Sequence, residues 1–197
     1  MDESPELVSL RNGTKVTIRP MVAGDGPALL SFFRALPEED RQFLRDDVTR
    51  PEVVERFVAK LDDDSVIPLV AEHEGRLVGD GTLHRTRHGW AVHVAALRVV
   101  VAREFQRSGL GTALAHQLVR RAVGLGLDKL VAEVVDNQIG ARRAFEKLGF
   151  HQEATLKGHV KDIHGAKHDL VIMANDVSHI WERMEALVAD YSPTVGD

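Results

Sequence analysis

Two glycines one residue apart, in the stretch QRSGLGTAL at residues 106–114, are the residues best suited to hold a phosphate group. Successive main-chain N–H groups at a helix N-terminus form a nest of partial positive charge. Glycine lets such a backbone approach a pyrophosphate closely, while Thr112 can add a hydroxyl and Arg107 a charge. Three loop chemistries compete. A P-loop needs GxxxxGK followed by Ser or Thr, and neither Gly-Lys-Ser nor Gly-Lys-Thr occurs. A dinucleotide loop needs GxGxxG, but counting from Gly109 the third position is Leu114, whose bulk opposes close helix–strand packing. The third pattern, Q/R-x-x-G-x-G/A, is met by Gln106, Arg107, Ser108, Gly109, Leu110 and Gly111. This is the form of an acyl-CoA loop. Taken alone, the loop reads equally as a cradle for a ligand or as a glycine-softened helix start.

Other chemistries are restricted by what is missing. Cysteine is absent, which removes disulfides, thiolate metal sites and a Cys nucleophile. No GxSxG elbow supports a serine acyl-enzyme. Direct transfer without a covalent intermediate is therefore favoured for an enzyme. His84 and His88 have HxxxH spacing, but they fall in a strand-end turn rather than on a helix, so no metal site is expected. Glu133 stands out as a charged residue inside the apolar run LVAEVV.

The elements that position these residues follow from apolar periodicity. Residues 15–20 alternate as a strand ending at a proline, and 28–36 form a helix with Leu29, Leu30, Phe32, Phe33 and Leu36 inward. A helix over 49–61 begins with Thr49 as N-cap and Pro51 in its first turn. Strands over 66–72 and 77–84 turn at Glu74-Gly75. Residues 90–102, WAVHVAALRVVVA, are apolar at nearly every position and read as a central strand buried on both faces. A helix over 109–124, a strand over 129–135 and a helix ending at Gly149 follow, with Ala141, Ala144, Phe145 and Leu148 on one face of the latter. Strands over 150–160 and 168–173 and a helix over 177–189 complete the chain. That last helix carries Ile180, Trp181, Met184, Leu187 and Val188 inward. The result is a mixed α/β domain around a central sheet, with residues 1–12 and 192–197 as loose ends.

Composition bounds the setting. The 197 residues suit one domain with a full core. The net charge of −5 argues against a nucleic-acid partner. No apolar run approaches the roughly 18 residues of a membrane span, and the N-terminus has acids where a signal peptide has bases, so a cytoplasmic location is expected. Residues 37–64 hold ten acids against five bases, and 103–147 hold eight bases against five acids. Either these are solvated helix faces, or they are an acidic half for a cationic ligand and a basic half for an anionic one.

Residues 99–114, VVVAREFQRSGLGTAL, resemble motif A of the GNAT superfamily of acyl-CoA-dependent N-acyltransferases. Residues 141–150, ARRAFEKLGF, resemble the end of that family's motif B. The likeness covers roughly residues 15–176. It implies a mostly antiparallel mixed sheet with a splayed central strand, flanked by helices. The corresponding division is a tail over 1–12, a GNAT-like domain over 13–176 and a helix with tail over 177–197. The resemblance also implies acetyl-CoA or a related acyl-CoA as co-substrate and an amine as acceptor; the acids of 37–64 favour a cationic one, such as a protein lysine, an N-terminal amine or a small polyamine. By position, the backbone at Val99 and Val101 would bind the pantetheine arm, with an N–H near Val101 at the thioester oxygen. Gln106 to Thr112 would hold the pyrophosphate, Phe145 would contact the CoA arm, and Gln138 on spacing, or Asn137 one residue before it, would bond that arm or simply cap the helix.

The nucleophile must be a neutral amine, so a base is required. Some family members use a glutamate in the strand that here contains Glu133; the other reading of Glu133 is a strand-end acid paired to an arginine. The alternative glutamate position of the family is Ala95 here, and His93 on the same face is its substitute, with Glu72 a weaker candidate. The family's usual acid, a tyrosine, is replaced by Phe145, and the only tyrosine is Tyr191 in the tail. That departure keeps a second reading open, an acyl-CoA-binding module without catalysis. His164, His168 and Asp169 lie near the last turn, where relatives place acceptor-binding groups. The apolar stripe of the last helix packs either on its own sheet or on a second subunit as a homodimer.

Overall fold

A computed structural model describes residues 4–61, 63 and 65–189. Its elements in chain order are β1 (Glu6–Ser9), β2 (Lys15–Pro20), α1 (Gly26–Ala35), α2 (Glu38–Arg41), α3 (Pro51–Val58), β3 (Val66–His73), β4 (Arg76–Arg85) and β5 (Val94–Val101). There follow α4 (Leu110–Gly124), β6 (Lys129–Val135), α5 (Ile139–Lys147), β7 (His151–Lys161), β8 (Lys167–Asp176) and α6 (Val177–Ala189). The eight strands form one sheet in the order β1-β2-β3-β4-β5-β6-β8-β7. Neighbours are antiparallel except β5 and β6, which are parallel. A parallel pair needs a crossover, and α4 supplies it, which puts the glycine loop at the C-terminal end of β5.

The β5–β6 ladder is short. It pairs Val94 with Lys129, Ala95 with Leu130 and Ala96 with Val131, and stops there. β5 nevertheless runs on to Val101, held on its other side by β4, and β6 runs on to Val135, held by β8. The two central strands thus part company into an open gap, the splay that the resemblance implied.

Alternation assigns the two faces of the sheet. On one, Leu97, Val99 and Val101 of β5 and Gly79, Gly81 and Leu83 of β4 lie under α4. The inward residues of α4, among them Leu110, Leu114, Leu118 and Val119, are fully buried. The two strand glycines make room for this helix. A Cβ on Gly79 would sit 3.0 Å from Leu114 Cδ1, 3.3 Å from Ala71 Cβ and 3.4 Å from Leu110 Cδ2. Gly79→Ala is therefore expected to destabilise the fold by about 1–3 kcal/mol through overpacking, read as a lower urea midpoint. An unchanged midpoint would show that Leu114 can move aside. The opposite face of the sheet is covered in part by α1, whose Leu29, Phe32 and Phe33 are buried.

Several boundaries differ from expectation. Residues 6–9, expected in a loose tail, form β1 on the edge of the sheet, four residues being too short to show a period. The central strand starts at Val94, not at Trp90, which is 93% exposed in a turn. Its faces are not equally buried, since only Ala95 and Leu97 are fully covered. Arg50, not Thr49, is the N-cap of α3, because the Thr49 hydroxyl bonds the Asp47 carboxylate at 2.6 Å instead. α5 buries none of its residues: Ala141 and Ala144 are exposed. α6 packs on α4 and β8 of its own chain, with Ile180 and Met184 buried. The side chains of Leu187 and Val188, and residues 192–197, lie outside the described parts.

Candidate active site

The glycine loop is shaped before any ligand arrives. Arg107 (φ 61°) and Gly109 (φ 97°) both take the left-handed conformation, which bends successive N–H groups toward one point. Ser108, buried, ties the turn together: its Oγ donates to the Phe105 carbonyl at 2.5 Å and accepts from the Leu110 N–H at 3.4 Å. Its hydroxyl therefore serves the loop itself, and the Leu110 side chain serves the core. The N–H groups of Gly111 and Thr112 fall in the first turn of α4, where no intrahelical acceptor exists. Gln106 is exposed, and its amide reaches Asp40 Oδ2 at 3.4 Å, beside Arg103, which is paired with both Glu39 and Asp40.

The sequence reading missed one cation here. The turn between β1 and β2 brings Arg11 over the loop. Its N–H bonds the Ser108 carbonyl at 3.0 Å, and its Cγ and Nε lie 3.6 and 3.7 Å from where a Cβ on Gly109 would be. Arg11 fell in a stretch with no apolar period, so only the topology reveals it.

The gap presents main-chain groups. The Ala102 N–H bonds the Val78 carbonyl of β4 at 2.9 Å, so even-numbered residues of β5 turn their polar backbone toward β4. The His93 carbonyl instead accepts from Asp128 and Lys129 on the β6 side, at 2.9 and 3.2 Å. By alternation Val99 and Val101 direct N–H and C=O toward β6, beyond the last β5–β6 pair. An extended chain with amide groups can lie there as a third strand would. Gly111 rides on the same two valines: a Cβ on it would be 3.7 Å from Val101 Cγ2 and 3.9 Å from Val99 Cγ1. Phe145 of α5 is half-buried, edge-on to Phe150 at 5.2 Å, and a phenyl ring offers no proton. The Gln138 side chain accepts from the Val135 N–H at 3.1 Å, just beyond the end of the gap.

The sheet face opposite α4 carries the titratable groups. Arg98 and Glu133 lie two residues past the last β5–β6 pair on their respective strands, on this face. Glu133 receives a bidentate ion pair from Arg45, with Nε to Oε2 at 3.1 Å and a terminal nitrogen to Oε1 at 2.5 Å. Arg45 comes from the segment after α2, outside any helix. Facing Arg98 on β4 are Thr82 and then His84, whose Nε2 is 3.0 Å from Thr82 Oγ1 and 3.3 Å from the Arg98 guanidinium. Arg98 can only donate, so His84 Nε2 is an acceptor and the ring is neutral. Burial, with the charge of Arg98, pushes this imidazole down to about 4, in agreement. Asp80, next on the same face, is buried with Oδ1 lacking any partner, and burial pushes its carboxyl up to about 7.

His93 lies elsewhere. It is exposed in the turn before β5, about 16 Å along the strand from the level of Glu133, counting five residues at the strand rise. Glu72 is engaged by Arg19 on the far side of β4. The β7–β8 turn closes the opposite wall of the opening. His168 there is held by Asp162 (3.0 Å) and Asp136 (3.4 Å), and its imidazole is raised chiefly by the Asp162 hydrogen bond. Its ring meets Phe43 edge-on at 5.6 Å. His164 forms part of the same turn through its N–H to Asp162 (2.9 Å), and Asp169 holds Lys157 at 2.6 Å. Among the described residues no group of three His, Cys, Asp or Glu could hold a metal ion, and no helix is long and apolar enough to cross a membrane.

Comparison with known proteins fits this arrangement. The sequence model of the Acetyltransferase (GNAT) family matches residues 30–150. No curated protein matches the chain. Among solved structures, Mycobacterium smegmatis RimJ in complex with CoA-disulfide is 23% identical, with a TM-score of 0.74 over 93% of this chain and 94% of that one. A ribosomal-protein-alanine N-acetyltransferase from Brucella melitensis is 24% identical, with a TM-score of 0.70 over 81% and 98%. A chimeric spermidine N-acetyltransferase SpeG from Vibrio cholerae is 20% identical, with a TM-score of 0.70 over 84% and 97%.

Proposed function

Because the chain belongs to the GNAT family of acetyltransferases, we propose that it moves an acetyl group from acetyl-CoA directly to a primary amine, with Glu133 as the base. The observation that carries this is the coincidence of a preformed anion nest, an unladdered strand edge and a carboxylate in one place. The nest at residues 106–112, with Arg11 above Gly109, suits a pyrophosphate. The backbone of Val99 and Val101 suits the amide-bearing arm, and a main-chain N–H at this end of β5 suits the charge that develops on the thioester oxygen. The co-substrate supplies the activated acetyl group; the chain supplies position and proton removal.

Glu133 takes a proton from the acceptor's ammonium group, since a lysine-type amine near pKa 10.4 is neutral in only about one molecule in two to three thousand at pH 7. The amine nitrogen then bonds to the acetyl carbonyl carbon, the carbon–sulfur bond breaks, and the nitrogen releases its second proton to solvent to leave the neutral amide. The leaving thiolate takes its proton from solvent, because the ring of Phe145 has none to give. Thiols titrate near 8.5, so this is a tolerable leaving group.

Some of the acids of residues 37–64, which in sequence suggested a cationic acceptor such as a protein lysine or a polyamine, are engaged in the fold. Glu39 and Asp40 hold Arg103, Glu52 holds Arg50, and Asp63 faces Arg87 at 3.7 Å. Asp46 of the same segment acts on His84 and Arg98 beside the gap, so the charges there bear on acceptor choice.

Calorimetric titration with acetyl-CoA, with NAD as control, tests the co-substrate. One saturable site for acetyl-CoA and none for NAD is expected. Absence of acetyl-CoA binding would remove the transfer reading and the binding-only reading together.

A further inference from the structure

Arg98 is a half-buried guanidinium with no carboxylate. Its hydrogen-bond partner is the neutral ring of His84, and none of the described residues forms an ion pair with it. Arg19, Arg45, Arg50, Arg103 and Arg142 each reach a carboxylate at 3.1 Å or less, and Arg41, also half-buried, donates to the main-chain carbonyls of Arg34 and Leu36. Arg98 reaches neither kind of oxygen among the described residues. A charge taken partly out of water without an opposite charge is costly to keep. Burial and the nearby Arg45 both lower the proton affinity of Arg98, while Asp46 and Glu133 act on it only from a distance.

The position of Arg98 gives that cost a purpose. It stands on the face of Glu133, level with it across the gap, and between the main-chain groups of Leu97 and Val99 that border the opening. Arg45 lies close enough to repel it. Arg45 itself is turned onto Glu133, so Arg98 is the guanidinium left facing His84 alone, and its planar fork matches a carboxylate in a bidentate manner.

We propose that Arg98, with Arg45 beside it, receives a carboxylate of the acceptor, so that the acceptor is an amino acid whose amine is presented to Glu133. The second consequence concerns Arg45. In the structure it occupies both carboxylate oxygens of Glu133, and a base so occupied cannot readily take a proton. An acceptor carboxylate draws Arg45 toward itself and leaves Glu133 to the amine. The positive pair also disfavours the ammonium form of a nearby amine. Only the role of Glu133 depends on the transfer reading; the carboxylate receptor stands on Arg98 and its surroundings.

The test uses the products such a reaction would make, which carry the carboxylate but no free α-amine. The twenty N-acetylamino acids and their carboxamides are titrated calorimetrically into the whole protein, with and without CoA. At least one acid is expected to bind about 10- to 100-fold more tightly than its amide, the range of a charged hydrogen-bonded contact. Arg98→Gln is expected to abolish that difference while leaving CoA affinity unchanged, and Arg45→Gln to reduce it. Equal binding of acid and amide, no binding of any acid, or a preference that survives in Arg98→Gln would overturn the proposal. Failure of CoA binding alone would instead strike at the transfer reading.

Discussion

Glu133→Gln is expected to lower kcat at pH 7 by about 100-fold or more, within the range that a positioned base contributes, while acetyl-CoA affinity stays the same. Glutamine keeps the shape and can still meet Arg45, so the fold should tolerate the change at this partly exposed position. What it cannot do is accept the proton. The loss should shrink as pH rises toward the amine's own pKa, because more of the acceptor is then neutral before it binds. Initial rates between pH 6.5 and 9.5 for both proteins would show converging curves. Parallel curves would mean that Glu133 positions the acceptor rather than deprotonating it. Undiminished turnover would remove it from the mechanism and leave the arginine-paired acid as its whole role.

The second large effect is on stability. Asp80 is buried on the sheet face shared with Thr82 and His84, and no other group satisfies its Oδ1. Burial raises its carboxyl to about 7, against about 3.9 in an unfolded chain. Between these values the folded state keeps a proton that the unfolded state has released. Stability therefore falls as pH rises from about 4 to about 7 and stays low above it. Three units correspond to about 4 kcal/mol. Asp80→Asn removes the ionisation, so its urea midpoint should vary much less over this interval, and it should gain on the parent protein at pH 8 relative to pH 4. A parent midpoint already flat from pH 4 to pH 8 would show that Asp80 ionises freely and is reached by water.

These two residues also mark what could and could not be read in the chain. The glycine spacing at 106–111 is local, and local chemistry survives translation into structure: the loop opens a helix after β5 as the pattern implied. The apolar periods of α1, α4 and the inner strands are of the same kind, since burial is dictated one face at a time. Glu133 is visible as a charge out of place, and the structure pairs it to an arginine, as one of its two readings expects. The partner, Arg45, is 88 residues away, and nothing in either segment encodes the other. Arg98 is equally a lone charge in an apolar run, but its surroundings, Thr82 and His84, come from another strand and are not encoded beside it. Asp80 sits between two glycines, a setting that suggests a turn. Those glycines instead let α4 settle onto β4, leaving the aspartate to point out on the other face. His93 shows the converse error. The apolar run was extended through it, whereas the strand starts one residue later and the ring lies in solvent.

The brevity of the β5–β6 ladder has a mechanical meaning. Only three residue pairs join one plate of strands, β1 to β5, to the other, β6 to β8. Above that seam the plates are joined by α6, which touches α4 on one side and β8 on the other, and by the segment after α2, whose Arg45 pairs with Glu133 and whose Phe43 meets His168. Spreading the plates about the seam breaks no ladder hydrogen bond, because none crosses the opening. The protein can thus admit a wedge one chain thick without dismantling its own sheet, and the hinge is built from Val94, Ala95, Ala96, Lys129, Leu130 and Val131, of which Lys129 alone carries a charge, itself held by Glu153.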